Sequence, residues 1–295
     1  MFNNRLSKLK NFIRTSNINL SDADRERLIR LIKPTIGVVT RNLHSEVEMK
    51  VGNSKIGGSP DLPKSIDWPT INGVPLVFCA QYNLAEITEF DREKVLPRKG
   101  MIYVFVSINE EWNEFSFESD KAKIFYIEDV TDIERKEFPV SLIEERKIKQ
   151  AEICYFETYT IPDDENFKLF YFKEKYEDFS YYSYQLIEDF LTDNAYYLED
   201  NLHQILGEDR SVQSSVVYDF ASNELKIHRS EEYTERQDEI LELSKNYRLL
   251  IQLDCSDSNT DLSRFGGSGV FYIGIKEDNL FQKEFQNLSI SFQMT

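Results

Sequence analysis

The chain has 295 residues, enough to bury a large core in one domain or in two compact halves. It carries 52 Asp and Glu against 35 Lys and Arg, a formal net charge of −17, which disfavours nucleic acid and anionic lipid as partners. Aromatic and β-branched residues recur throughout, which excludes long disordered stretches. No run of 18 apolar residues occurs, so we expect no integral membrane segment.

Two helices are predicted at the start of the chain, within residues 1–34. Residues 1–14 alternate apolar and basic side chains, a pattern that fits either a helix packed on its own domain or one lying on a membrane surface. The first interpretation is the commoner one. The second helix is predicted to begin at Ser21, with Asp24 assisting the cap, and to end before Pro34.

Turn residues dominate positions 51–75, which predicts a surface segment with fixed turns around Trp68. Apolar runs of strand length follow. Strands are predicted at 76–82, 101–108, 122–128, 151–160, 167–173, 248–254, 269–275 and 287–293. Helices are predicted around 183–199 and at 231–246, with a loop at 201–215. Together these elements predict an α+β fold.

The three cysteines, Cys79, Cys154 and Cys255, are too few and too far apart for a disulfide framework. Each lies in an apolar, strand-like setting, which predicts buried, reduced thiols. Reduced cysteines, together with no apolar signal segment at the start, predict a cytoplasmic protein.

The two ends of the chain resemble each other. Residues 55–58 (Lys-Ile-Gly-Gly) precede the strand containing Gln81, and Gly100 opens the next strand. Residues 204–207 (Gln-Ile-Leu-Gly) precede the strand containing Gln252, and Gly269 opens the next. This order predicts an internal duplication, with coincidence among short apolar strings as the alternative.

A true duplication would give two related halves, about 50–110 and 201–295, with mainly antiparallel sheets that share a core. The second half would hold an inserted helix, and the whole chain, 1–295, would form a single globular domain. Additional helices would lie at the N-terminus.

Gln81 and Gln252 each interrupt an apolar strand. A buried amide needs partners for two donors and an acceptor. Either each amide bonds the backbone of a neighbouring turn, or both face a shared cleft between the halves. In the second case, Trp68, His203 and Asp254 complete the predicted ligand-binding lining.

Seven short segments give a family resemblance through their order and spacing. They are Gly-Gly-x-Pro-x-Leu-Pro (57–63), Trp-Pro (68–69), Ala-Gln-Tyr-Asn-Leu (80–84), Leu-Pro-Arg-Lys-Gly (96–100), His-Gln-Ile-Leu-Gly (203–207), Leu-Leu-Ile-Gln-Leu-Asp (249–254) and a final Gly-rich turn. The chain resembles the YwqG-like family of uncharacterised bacterial cytoplasmic proteins over most of residues 50–295. The resemblance implies fold and compartment but no catalytic residue.

Motifs that carry chemistry are missing from the sequence. The histidines are far apart, and no zinc, phosphate-loop or nucleophile-elbow pattern occurs. Cys154 or Cys255 could meet His203 in space, but the sequence does not decide this. We therefore predict no metal, no cofactor and no catalytic residue, and favour a protein that is not an enzyme.

Two functions remain. The first is a non-catalytic binding or interaction protein, immunity-like or regulatory, whose acidic surface holds a basic protein partner. The alternative is a small-molecule-binding protein or enzyme with a site in the cleft between the two halves.

Overall fold

The computed structural model describes residues 3–42, 49–109, 114–115, 121–164, 166–169, 181–198, 201–227 and 229–294. The helices are α1 (Asn3–Thr15), α2 (Asp22–Arg30), α3 (Leu84–Ile87), α4 (Tyr181–Asp193), α5 (Val216–Glu224), α6 (Ser230–Glu235), α7 (Gln237–Ser244), α8 (Ser263–Gly266) and α9 (Glu277–Gln282). The strands of the main sheet are β1 (Lys33–Asn42), β2 (Lys55–Ile56), β6 (Val77–Asn83), β7 (Met101–Val106), β10 (Ala122–Ile127), β12 (Ala151–Thr160), β13 (Gln204–Ile205), β14 (Tyr247–Asp254), β15 (Val270–Lys276) and β16 (Leu288–Gln293). Short strands pair outside it: β3 (Asp61–Pro63) with β11 (Ile133–Arg135), β4 (Thr70–Ile71) with β5 (Val74–Pro75), and β8 (Ile108–Asn109) with β9 (Glu114–Phe115).

The main sheet has ten strands in the order β10-β7-β6-β2-β12-β1-β13-β14-β15-β16, and every neighbouring pair is antiparallel. The long pair β12 and β1 forms its centre. Outward from this pair, β2, β6, β7 and β10 follow on one side, and β13, β14, β15 and β16 on the other. The fold is therefore α+β, as predicted, with one continuous sheet spanning both halves.

The two glutamines have the same type of cross-strand partner on the two sides of the central β12–β1 pair. Gln81 lies opposite Tyr103, and Gln252 lies opposite Tyr272. The β6–β7 and β14–β15 pairs each contain one register shift, a β-bulge at the same place relative to the glutamine. Two strand groups of the same order and register thus meet at β12 and β1.

Residues from both strand groups, those beside β12 and those beside β1, contribute to one apolar core. One buried cluster contains Val104 of β7 and Ile273 of β15, both fully buried. The outer ends also approach each other, because the ring of Tyr126 on β10 packs 5.1 Å from the ring of Phe285, just before β16. The sheet therefore curls around a common core, which brings loops distant in sequence together.

The N-terminal helices follow the sequence prediction. The Ser21 side chain accepts a hydrogen bond from the Asp24 N–H and so caps α2. Leu9 and Ile13 of α1 are fully buried, and Phe12 stacks on Phe190 at 4.0 Å. The apolar stripe of α1 thus packs on its own protein. Among the described helices, none combines the length and the apolar character needed to cross a bilayer.

Three local predictions need correction, and two elements were missed. Residues 167–169 form a helical turn rather than a strand, because the Asn166 side chain accepts from the N–H of Lys168; residues 170–173 lie outside the described residues. The predicted helix 231–246 is two helices, α6 and α7, broken at Arg236. The predicted loop 201–215 contains the strand β13. Strand β1 and helix α5 were not predicted at all.

Candidate ligand-binding site

The five residues predicted to share a cleft fall into two groups. Gln81 and Trp68 belong to the first half, whereas His203, Gln252 and Asp254 belong to the second. Strands β6 and β14 lie five strand spacings apart in the sheet, about 24 Å along it. The structure thus brings together His203, Gln252 and Asp254, and separates them along the sheet from Gln81 and Trp68.

The Gln81 amide holds the segments on both sides of β2. Its Oε1 accepts from the N–H of Asp61 at 2.8 Å, and its Nε2 donates to the Asn53 carbonyl at 2.7 Å and to Asp61 Oδ2 at 2.9 Å. The Tyr103 hydroxyl donates to the Asp61 carbonyl at 2.6 Å. The polar groups of this buried side chain are therefore engaged in holding the protein's own loop.

Gln252 performs the same task in the second half. Its Oε1 accepts from the N–H of Arg210 at 3.2 Å, and its Nε2 lies 3.4 Å from the carbonyl of the same residue. The Tyr272 hydroxyl donates to that carbonyl at 2.9 Å. Both glutamines thus bond the neighbouring turn, which is the first of the two uses that the sequence left open.

Trp68 also has a structural setting. Its Nε1–H donates to the Leu76 carbonyl at 2.8 Å. Its ring meets the edge of Phe105 at 5.8 Å between centroids, beside a smaller apolar cluster on the first half.

His203 has both ring nitrogens occupied. Nδ1 accepts from the N–H of Asp254 at 2.9 Å, so Nε2 carries the proton and donates to the Asp257 carboxylate at 3.1 Å. Burial raises the pKa of the Cys255 thiol well above its usual value. Because no ring nitrogen remains to take a proton, His203 does not activate a thiol of Cys255 or Cys154.

A buried charge cluster stabilises the first half. Asp61 and Lys55 are fully buried; Asp61 Oδ2 lies 3.2 Å from Lys55 Nζ, and Asp61 Oδ1 lies 2.9 Å from Arg135 Nε. Burial alone would raise the pKa of Asp61, but the hydrogen bond from Arg135 and the charge of Lys55 lower it below the usual value. Asp61 is therefore ionised and holds two cations.

Two buried acids lie beside the second half, one on the segment after β12 and one on the segment after β13. Asp163 and Asp209 are each more than nine-tenths buried. Asp163 accepts from the N–H groups of Asn166 and Ser211, yet burial raises its pKa to about 6. Burial, followed by the charge of Asp163, raises the pKa of Asp209 well above the usual value. Both buried carboxyls are therefore harder to ionise than an exposed aspartate.

A cleft of about 260 Å³, here called the cationic cleft, is lined mainly by the segment 88–98, which follows α3 in the first half. Lys283, in the turn after α9, is the lining residue that comes from the second half. The charged residues that line it are Glu89, Asp91, Arg92, Lys94, Arg98 and Lys283. Four cations thus face one small cavity of a protein whose net charge is −17.

The backbone of the segment 88–98 is fixed from within. The buried Asp91 carboxylate accepts from the N–H groups of Lys94 and Leu96, both at 2.8 Å, so its oxygens are directed to the loop. Lys94 and Lys283 both have left-handed backbone conformations, with φ of 57° and 60°. Each lysine therefore ends a turn and projects from a tight bend.

Charge compensation within the cleft is incomplete. The Arg92 guanidinium bonds Glu157, with Nε to Oε2 at 2.9 Å. Lys94, Arg98 and Lys283 are exposed, and in the part of the chain that the structure describes they take part in no salt bridge. Three cations are thus available to a ligand.

The two halves are tied together beside this cleft. Arg248 of β14 contacts Glu93 of the first half and lies 3.4 Å from Glu277 at the start of α9. Sequence reasoning missed the cleft because Arg98 and Lys283 are far apart in the chain. Only the curled sheet places them at one cavity.

The described residues hold no group of three or more His, Cys, Asp or Glu side chains placed to bind a metal ion. Independently of this, the Lys and Arg side chains that line the cleft are hydrogen-bond donors of the kind that anions accept from.

No curated protein matches the chain. Residues 54–293, well over half of the sequence, match the family model described as Domain of unknown function (DUF1963). This match covers both strand groups of the main sheet and the residues that line the cationic cleft. The chain therefore belongs to the DUF1963 family of domains of unknown function.

Proposed function

We propose that the protein is a binding protein for a small, multiply charged anion, held in the cationic cleft. The observation that carries the proposal is the convergence of Lys94, Arg98 and Lys283 on one cavity. The ligand class is a phosphorylated small molecule or a polycarboxylate, because both present several oxygen acceptors to Lys and Arg donors.

The overall charge of the protein supports this site. Most of its surface repels anions, so unpaired cations gathered in one place create a local reversal of the electrostatic potential. The cavity of about 260 Å³ lies just below the range of about 300–1,000 Å³ found for small-molecule sites, which favours a compact ligand.

Neutralising the cleft should remove anion binding. In Arg98→Gln and Lys283→Gln variants we expect citrate or inorganic pyrophosphate to bind about tenfold more weakly per substitution, since each loses one charge-assisted hydrogen bond of about 1.5 kcal/mol. Titration calorimetry at low salt measures the affinity, and binding should weaken as salt is added.

The matched control is Lys123→Gln, because Lys123 is exposed on β10 and does not line the cleft. The control should bind the anion as the wild type does. Equal losses in all three variants would show that only net charge matters, and no binding by the wild type would refute the proposal.

A second candidate is an interaction protein that holds a basic partner. Helices α6 and α7, in the second half, form an exposed acidic surface: residues 230–245 contain six Asp or Glu and two Lys or Arg. Both cations bond acids of the same surface, Arg236 to Glu239 and Lys245 to Glu242. The remaining acids are the basis for electrostatic steering of a basic protein.

A four-site variant tests this second candidate: Glu231→Gln, Glu232→Gln, Glu235→Gln and Asp238→Asn. A basic partner captured at low salt should be lost from this variant, while anion binding in the cleft is unchanged. Retention of the partner by the variant would place the interface elsewhere.

We also infer that the two strand groups arose by internal duplication, a proposal supported by their matching strand order and glutamine contacts. The reduced cysteines support a cytoplasmic protein. The resemblance to YwqG-like bacterial proteins is compatible with both proposals.

A further inference from the structure

A second depression of about 620 Å³ lies on the second half, next to the edge strand β16. Its lining residues Asn279 and Gln286 flank Lys283 of the cationic cleft in sequence, but the two cavities share no lining residue. The volume of this depression is inside the range of about 300–1,000 Å³ for small-molecule sites. Neutral polar side chains dominate its lining: Asn223, Asn279, Gln286, Asn287, Ser289 and Tyr247. We call this depression the amide groove.

The two charged residues of the amide groove cancel each other. Lys276 Nζ lies 2.7 Å from Glu224 Oε1, and the Tyr247 hydroxyl donates to Glu224 Oε2. Burial would raise the pKa of Glu224, but these two hydrogen bonds lower it, so the carboxylate is ionised and paired. The lining therefore has no net charge and gives a charged ligand no advantage.

Part of the wall is fixed in place before any ligand arrives. Tyr247 is 6% exposed, and its hydroxyl also accepts from Ser289 Oγ at 3.2 Å. Asn223 Nδ2 donates to the Ile290 carbonyl at 2.8 Å, which anchors its side chain to the edge strand. These bonds preorganise the groove.

Other amides of the groove remain available. The side chains of Asn279, Gln286 and Asn287 make no hydrogen bond to any residue that the structure describes. A carboxamide presents one acceptor and two donors close together, an arrangement that matches two adjacent hydroxyl groups, each of which both donates and accepts.

We propose that the amide groove binds a neutral mono- or disaccharide. The free carboxamides pair with its hydroxyl groups, and the neutralised Lys276–Glu224 pair adds a fixed donor and acceptor without favouring ionic ligands. This site differs from the cationic cleft in position, lining and ligand charge, so neither proposal depends on the other.

The test uses the full chain and a panel of neutral sugars: glucose, galactose, maltose, cellobiose and lactose. Saturation-transfer NMR detects binding, and titration gives the affinity. At least one sugar should bind saturably. In an Asn279→Leu/Gln286→Leu variant its affinity should fall at least tenfold, because two amides are replaced by apolar groups of similar size.

The matched control is Lys226→Gln, since Lys226 is exposed near α5 and does not line the groove. It should bind the sugar as the wild type does. The double variant should keep the circular dichroism spectrum and the denaturant midpoint of the wild type, which shows that it is folded.

Three results would overturn the saccharide assignment. One is that no sugar of the panel binds saturably at millimolar concentration. Another is binding that the double variant leaves unchanged. The third is that a blocked tetra-alanine peptide binds the groove while the sugars do not, which would make the edge strand β16 a peptide site.

Discussion

We expect an Asp61→Asn variant to lose about 3–5 kcal/mol of unfolding free energy. The substitution removes the charge that holds Lys55 and Arg135, and leaves the fully buried ammonium of Lys55 without its counterion. In the wild type, the N–H of Gly52 donates to Asp61 Oδ2 at 3.0 Å. An amide nitrogen at that position would present its own hydrogens to this N–H and could not accept the bond. Denaturant unfolding followed by tryptophan fluorescence measures the loss.

Asp132→Asn is the matched control for this prediction. Asp132 pairs with Lys64, but both side chains are more than half exposed, so solvent screens the pair and its removal should change stability far less. A loss for Asp61→Asn no larger than that of Asp132→Asn would show that the buried cluster does not stabilise the fold. Adding Lys55→Gln to Asp61→Asn should restore part of the lost unfolding free energy, because the double variant no longer buries an uncompensated ammonium group. An uncharged side chain is tolerated at the corresponding position of the second half, where Gln204 lies opposite Gln252.

The second large effect is a dependence of stability on pH that arises from Asp163 and Asp209. Both carboxyls have a pKa raised by burial, so the folded state keeps their protons at a pH where the unfolded chain has released them. Their stabilising contribution is complete below the unfolded pKa of about 4 and is lost as pH rises through the folded value, about 6 for Asp163.

An Asp209→Asn variant isolates this effect, because asparagine carries no titrating proton. Relative to the wild type, the variant should become progressively more stable as the pH rises from 4.5 to 8, because the wild type loses the contribution of the protonated Asp209 over this range and the variant does not. The difference between the two proteins is the quantity to follow, since Asp61 and Asp257, whose pKa values are lowered, impose the opposite slope on both.

Asp238→Asn serves as the control, because Asp238 is exposed on α7 and should show no such gain. A constant difference between Asp209→Asn and the wild type across this range would contradict the raised pKa of Asp209. Circular dichroism across the series checks that each variant has the same fold.

Several elements were predictable from local chemistry. Ser21 caps α2, and the apolar runs that became β6, β7, β12, β14, β15 and β16 are strands close to the predicted limits. Strand β1 was missed because Pro34 and Gly37 interrupt its apolar pattern, and both are poor strand formers. It is a strand because its neighbours β12 and β13 pair with it on both sides, a long-range contribution that a local pattern does not contain.

The sequence could identify the unusual residues of the predicted site but not their partners. Gln81 and Gln252 were identified as informative because a polar residue in an apolar strand needs partners, and this reasoning is local. Whether those partners are a ligand or a neighbouring turn depends on which loop folds over the amide. The structure places the Asp61 and Arg210 loops there.

The sequence by itself determined the α+β class, the capped helix α2 and the similar strand pair at each end, because hydrophobic period, capping and turn residues act over a few positions. Only the tertiary structure decided which residues lie close together: the pairing of Asp61 with Lys55 and Arg135, the burial of Asp209, and the position of Arg98 and Lys283 at one cavity. These depend on how a ten-stranded sheet curls, which sums many weak contacts between distant segments. Charge in the chain was visible as composition, but the gathering of Lys94, Arg98 and Lys283 around one cavity is a property of the fold.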